Sequence, residues 1–366
     1  MGHAVEPAAD PDARLEIGPP TLVPSMQNRR IVSVASGFYH SLALSVEGEV
    51  YSWGNSQFGA LGHGDIAERT VPSMIESLSR IKSIAVGPYW TSAAVDEDGR
   101  LFTWGGASIN HTEEDSNGEL KLFQGPSGLG YKPNAATENQ LTPKRVAALS
   151  QDRVVGVALG DGFTLAVTDA GAVFSFGSSR VGVLGHGSLD SQVLPRRIEA
   201  LVKTGWRFVA VAAGYFHALA LSEEGELYGW GEKCTNGHGQ EERTPQRVAA
   251  LIGQHVKFMH AQCTSACAVT EKGELFTWGQ FNGWKNLGQE GSSRVTPMRV
   301  AGLSGVVVVA VAIGSTHTLA ADVDGVVWAF GRRLALGLDA SNIRDTATVQ
   351  TPIPIPTLCV RVLNSP

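Results

Sequence analysis

Ten histidines and four cysteines are the residues with the plainest capacity for chemistry in this chain. Three of the histidines, His40, His217 and His317, occupy the same place in near-copies of one motif, Gly-x-x-His-(Ser/Ala/Thr)-Leu-Ala. A histidine fixed in several copies is what a shared metal site or a set of general bases would need. The remaining copies argue against both. After Gly87, Gly160 and Gln262 the same offset carries Trp90, Phe163 and Ser265. A metal site would not tolerate those losses. Each histidine is therefore expected to tie a turn to its own repeat by hydrogen bonds.

The cysteines are no more promising. Cys263 and Cys267 have Cys-x3-Cys spacing, which is not that of a zinc ribbon. On one strand they would lie about 13 Å apart. With Cys234 and Cys359 they form no disulfide framework, so buried reduced thiols are expected. There is no phosphate-binding Gly-x-x-x-x-Gly-Lys loop and no His-Glu-x-x-His. The stretch from Gly177 to Gly182 lacks the Gly-x-Ser-x-Gly spacing of a nucleophile elbow. No catalytic residue, metal or cofactor is expected.

The elements that carry these residues repeat. A turn glycine follows each motif, at Gly48, Gly99, Gly171, Gly225, Gly273 and Gly325. Five residues later stands an aromatic followed by glycine: Trp53, Trp104, Phe176, Trp230, Trp278 and Phe330. Alternating runs on either side of a glycine predict a hairpin, because glycine accepts φ > 0 without steric cost. A proline-marked strand such as Thr142-Pro143-Lys144-Arg145-Val146 follows, where a missing N–H suits a sheet edge. Four strands per unit and six units predict an all-β fold: a closed β-propeller, six blades favoured over seven. The aromatics are expected in the blade cores. Residues 20–23 and Pro352-Ile353-Pro354-Ile355 both look like fourth strands, so one chain end is expected to complete the other's blade.

Glycine makes up 43 of the 366 residues without a collagen period, and charged residues only 17%. The net charge of −6 offers no basic excess for wrapping nucleic acid, and the longest apolar run is too short for a membrane span. Residues 1–19 read as an acidic tail that is neither a secretory signal nor a typical transit peptide, and residues 20–366 as one propeller domain. An intracellular setting follows, in cytoplasm, cytoskeleton or cilium rather than nucleus.

Features that do not repeat carry the functional hints. The second unit holds an insertion, residues 106–140, with Leu120, Leu122 and Phe123 in its middle. Loops of that length are commonly functional. Three of the motif turns are aromatic: Phe38 and Tyr39, Tyr89 and Trp90, Tyr215 and Phe216. Equivalent turns of successive blades share one face of a ring, and aromatics are enriched at binding hot spots. These nine residues are the expected contacts for protein partners.

With these motifs in place, the chain resembles the regulator of chromosome condensation repeat family. The match runs through Gly-x-x-His-(Ser/Ala/Thr)-Leu-Ala, Gly-x-(Val/Leu)-(Tyr/Phe)-x-Trp-Gly, the Leu-Gly-His-Gly at 61–64 and 184–187, and Pro-x-x-Val. The resemblance implies a propeller that serves as an adaptor or assembly component. It implies, as the alternative, guanine-nucleotide exchange on a Ran-type small GTPase, with the insertion as the protruding wedge. Light sensing, found in one branch, is not expected: Gly205-Trp206-Arg207 lies nine residues upstream of Gly214, out of register with the motif turn.

Overall fold

The computed structural model describes residues 22–106, 108–114, 120–126, 128–131, 139–233, 235–279, 286–289, 294–332, 336 and 348–359. Alternating apolar residues between turn glycines form short antiparallel strands. Blade one is β1 (Ile31–Ser36), β2 (His40–Ser45), β3 (Val50–Gly54) and β4 (Arg69–Met74). Blade two contains β5 (Ile81–Val86), β6 (Thr91–Asp96) and β7 (Leu101–Gly105). The hairpin β8 (Ser108–Glu114) and β9 (Leu120–Pro126) follows before its outer strand β10 (Gln140–Arg145). Blade three is β11 (Val154–Leu159), β12 (Phe163–Thr168), β13 (Val173–Gly177) and β14 (Gln192–Arg197). Blade four is β15 (Phe208–Ala213), β16 (His217–Ser222), β17 (Leu227–Gly231) and β18 (Glu242–Arg247). Blade five is β19 (Val256–Gln262), β20 (Ser265–Thr270), β21 (Leu275–Gly279) and β22 (Arg294–Arg299). Blade six is β23 (Val308–Ile313), β24 (His317–Asp322), β25 (Val326–Arg332) and β26 (Thr348–Cys359).

Six four-stranded antiparallel sheets stand around a central channel: the molecule is a six-bladed β-propeller. The first strand of each blade lines the channel. The proline-bearing fourth strand pairs only with the third, so Pro143, Pro245 and Pro297 sit on outer edges. Turn glycines hold the hairpins close to the next blade. Gly48 adopts φ +80°, and a Cβ there would come within 2.9 Å of the Arg80 backbone.

One expectation is corrected. Blade six takes its outer strand from its own β26, and Leu22 and Val23 are exposed coil, so the N-terminal segment does not complete that sheet. The reason is that every sheet forms from an unbroken stretch of chain. Pro20, Thr21 and the acidic tail lie outside the described residues.

The blades are joined by apolar clusters and a recurring pair of polar hooks. Leu42, Leu44 and Ile75 of blade one meet Ile84, Ala94 and Trp104 of blade two, and four further clusters join blades two to six. Five of the six repeat aromatics sit in these joints; Trp53 of blade one is partly exposed, against the expectation of a core position. Trp104, Trp230, Trp278, Phe176 and Phe330 are fully buried. Each such burial contributes about 2–3 kcal/mol. The indole N–H of Trp104 donates to the Ala60 carbonyl at 2.9 Å, and that of Trp278 to Thr235 at 2.9 Å, always in the preceding blade. The second residue of the second strand does the same. Ser92 donates to Ala60, Thr164 to Gly128 and Thr318 to Asn286 at 2.7–2.9 Å.

Candidate functional site

Two of the three histidines that invited a catalytic reading, His40 and His217, are joint residues, whereas His317 Nδ1 lies 3.5 Å from Thr316 Oγ1 of its own turn. His40 Nε2 lies 2.8 Å from Ser92 Oγ, so it links blade one to blade two rather than bracing its own turn. His217 is fully buried, and neither ring nitrogen has a hydrogen-bond partner. The cause is one substitution: blade five carries Ala266 where blade two carries Ser92. Burial pushes His40 down to about 4 and His217 to about 3, so both rings are neutral. Strand pairing also corrects the repeat register. Thr91, not Trp90, is the counterpart of His40, because the blade-two turn is one residue longer. Cys263 and Cys267 are free and buried, with thiols pushed up to about 11 and 12 by desolvation. Cys234 lies outside the described residues. Among the described residues no cluster of His, Cys, Asp and Glu could hold a metal.

The extra residue places Trp90 beside the aromatic turns instead of in the sheet. Trp90 stacks on Tyr39 with ring centroids 4.5 Å apart and planes 7° from parallel. Tyr39 meets Phe38, and Phe38 meets Tyr89 at 5.5 Å. Tyr89 stacks on Tyr215 at 5.8 Å and 6°. Phe38 also reaches Tyr215 directly at 6.0 Å, although blades one and four are far apart in sequence. Tyr215 meets Phe216 at 5.9 Å. All six turn aromatics singled out from the sequence therefore form one continuous ribbon across one end of the channel.

Two members of the ribbon were not legible in the motif turns. Phe58 packs edge-on against Trp90 at 5.7 Å, and the Arg180 guanidinium sits 4.3 Å from the Phe216 centroid. Both come from the loop between third and fourth strands, in blades one and three. In those loops Phe58 and Val181 hold φ of 62° and 49°, left-handed values that non-glycine residues rarely adopt. The signal in the sequence was the Gln57-Phe58-Gly59 and Arg180-Val181-Gly182 triplets, at one offset before the two Leu-Gly-His-Gly loops.

The ribbon is exposed where a partner could reach it. Phe38 is 43%, Tyr39 49% and Phe58 37% exposed. Burial raises the phenols of Tyr89 and Tyr215, whose hydroxyls bond to each other. Among the described residues Arg180 supplies the one cation in ring contact with the ribbon, beside the half-buried Glu232, whose carboxyl is raised by desolvation. Such a surface can bury apolar surface, stack and hold an anion. The corresponding turns of blades three, five and six carry Asp161, Thr264, Ser315 and Thr316 instead.

Leu120, Leu122 and Phe123 lie in β9, paired in register with Glu114, Thr112 and His111 of β8. Among its described residues the insertion thus holds a two-stranded sheet, β8 and β9, between the third and fourth strands of blade two and separate from the blade sheets.

Family profiles for the regulator of chromosome condensation (RCC1) repeat match residues 31–94, 170–240 and 272–321. The chain belongs to the regulator of chromosome condensation repeat family. Among RCC1-repeat relatives, the human E3 ubiquitin-protein ligase HERC2 is 38% identical over 319 residues, covering 83% of this chain and 6% of HERC2. The ultraviolet-B receptor UVR8 of Arabidopsis thaliana is 36% identical over 215 residues, covering 58% of this chain and 43% of UVR8. The chain thus spans less than half the length of both. A crystal structure of yeast RCC1 (Prp20) bound to Kap60 superposes with a TM-score of 0.70 at 23% identity, covering 89% of this chain and 74% of that one. At that identity the likeness is one of fold. Among the described residues no helix is long and apolar enough to cross a membrane.

Proposed function

We propose that the protein is a protein–protein interaction scaffold, and that the aromatic ribbon is its docking surface. The supporting observation is that six turn aromatics from blades one, two and four converge into one half-exposed band that the scaffold does not need. Five joints hold the ring together with other residues, so the band is free to contribute to binding. That this chain matches 6% of HERC2, and that the yeast propeller was crystallised bound to Kap60, fit this reading. The hairpin of residues 108–126 is a second contact of the same partner class. Stacked, half-exposed rings favour action by binding.

Cross-linking mass spectrometry on endogenous complexes tests this. Cross-links are expected on both flanks of Phe38 and Tyr89, and Tyr39→Ala with Trp90→Ala is expected to release the partner from a still-folded ring. Partner retention by that double variant would end the proposal. The competing role, nucleotide exchange on a Ran-type GTPase, predicts faster release of labelled GDP on adding the purified protein; unchanged release excludes it.

A further inference from the structure

In the aromatic ribbon four turn carbonyls are engaged, while two ring donors are not. The carbonyls of Tyr39, Pro88, Trp90 and Phe216 accept from the backbone N–H groups of Asn55, Phe38, Gly106 and Glu232 at 2.7–3.0 Å. Those bonds hold the turns in shape, so they are not given up on binding. Among the described residues, neither the Tyr39 hydroxyl nor the Trp90 indole N–H has a hydrogen-bond partner, and Trp90 Nε1 is not among the buried polar atoms. Both belong to the stacked pair at the middle of the exposed band, with Tyr39 49% exposed.

The rings from Phe58 through Trp90, Tyr39 and Tyr89 to Tyr215 carry no charge. Among the described residues the one cation in ring contact with the band lies at its far end, where Arg180 sits over Phe216. Ring centroids are 5.7 Å apart from Phe58 to Trp90, 4.5 Å from Trp90 to Tyr39, 6.5 Å from Tyr39 to Tyr89 and 5.8 Å from Tyr89 to Tyr215. A polyproline II helix rises about 3.1 Å per residue, so each step spans about two of its residues. The band therefore suits an occupant that is extended, apolar and uncharged. That occupant must offer carbonyls to the ring donors and bring no N–H that would be buried without a partner.

We propose that the ribbon binds a proline-rich segment of another protein in the polyproline II conformation. This rests on the reading of the ribbon as a docking surface and names the ligand it takes. Proline removes the backbone N–H and keeps the carbonyl, and polyproline II leaves that carbonyl unbonded within the segment. Those carbonyls accept from Tyr39 Oη–H and Trp90 Nε1–H, while the pyrrolidine rings lie on the aromatic faces. A β-strand fails the same test, since its outward N–H groups meet carbonyls that are already engaged. An α-helix fails it from the other side: its carbonyls are bonded internally and leave both ring donors bare. A strongly charged segment would lose hydration over rings that carry no opposing charge.

The test uses the full chain and a fluorescein-labelled decaproline peptide, read by anisotropy. Saturable binding is expected, with none for a labelled Gly-Ser decamer, which is equally long but carries an N–H at every residue. Tyr39→Phe keeps the ring and removes the hydroxyl; Trp90→Phe keeps an aromatic face and removes the indole N–H. Each is expected to weaken decaproline binding about fivefold, the worth of one neutral hydrogen bond. Tyr39 is an exposed ring, so its variant serves even where Trp90→Phe disturbs the turn. Equal binding of the two peptides, or decaproline binding that Tyr39→Phe leaves unchanged, overturns the proposal. So does failure of decaproline to bind at millimolar concentration. The Tyr39→Ala, Trp90→Ala double variant then separates the two readings. Partner release without decaproline binding leaves the docking surface standing and removes this ligand; partner retention removes both.

Discussion

Aromatic residues do two different jobs in this molecule, in two regions. In the joints, Trp104, Trp230 and Trp278 recur at one place in the repeat, are fully buried, and donate to the preceding blade. In the ribbon, Tyr39, Trp90 and Phe38 vary from blade to blade, are partly exposed and touch mainly one another. The same residue type thus serves cohesion where it repeats and, where it does not, forms the exposed band proposed as the docking surface. Regularity marks the scaffold, and its breaks mark what the scaffold displays.

The comparison is broken most directly by truncating one member of each set. Trp230→Ala removes a fully buried ring and its bond to Val183 O, 2.6 Å long, and is expected to cost about 3–5 kcal/mol. Tyr39→Ala, on an exposed ring, is expected to stay within about 0.5 kcal/mol. Denaturant unfolding of both decides it; equal losses would make the ribbon part of the core.

Acid probes the joints. His40, His217 and His260 are held down at about 4, 3 and 4 by burial. A histidine whose folded pKa lies below its unfolded value of about 6.5 leaves the native state with fewer bound protons than the unfolded chain between the two. Stability is therefore complete above pH ~6.5 and falls as the pH drops toward 4, by up to about 1.4 kcal/mol per pH unit for each such group. His217→Gln is expected to make that slope shallower by one histidine's share. A slope identical to wild type would place the His217 titration elsewhere.

The smallest effect comes from restoring a missing hook. Ala266→Ser recreates beside His217 the hydroxyl that Ser92 offers His40, and is expected to raise stability by about 1 kcal/mol. A loss instead would mean that the added oxygen is crowded in a fully buried position.

Glycine and aromatic spacing carried the blade count and the strand order into plain view, because hairpins and joint aromatics are local and repeat. The ribbon was visible only in part. Sequence spacing shows that six aromatics share a face, but not that the ring is narrow enough for Phe38 to touch Tyr215. Trp90 looked like a histidine replacement until strand pairing revealed the longer turn around Pro88. Phe58 and Arg180 were hidden because their loops read as glycine-rich connections. His40 was misjudged as a brace within its own blade, since its partner is set by the arrangement of two sheets.

Each sheet is spun from one uninterrupted length of chain, with no strand borrowed from a distant segment. During synthesis, then, every wedge can zip up as it leaves the ribosome and settle on its finished predecessor, so the disc grows in one direction. A frameshift or stop late in the message would yield a shorter fan of intact wedges, not a tangle.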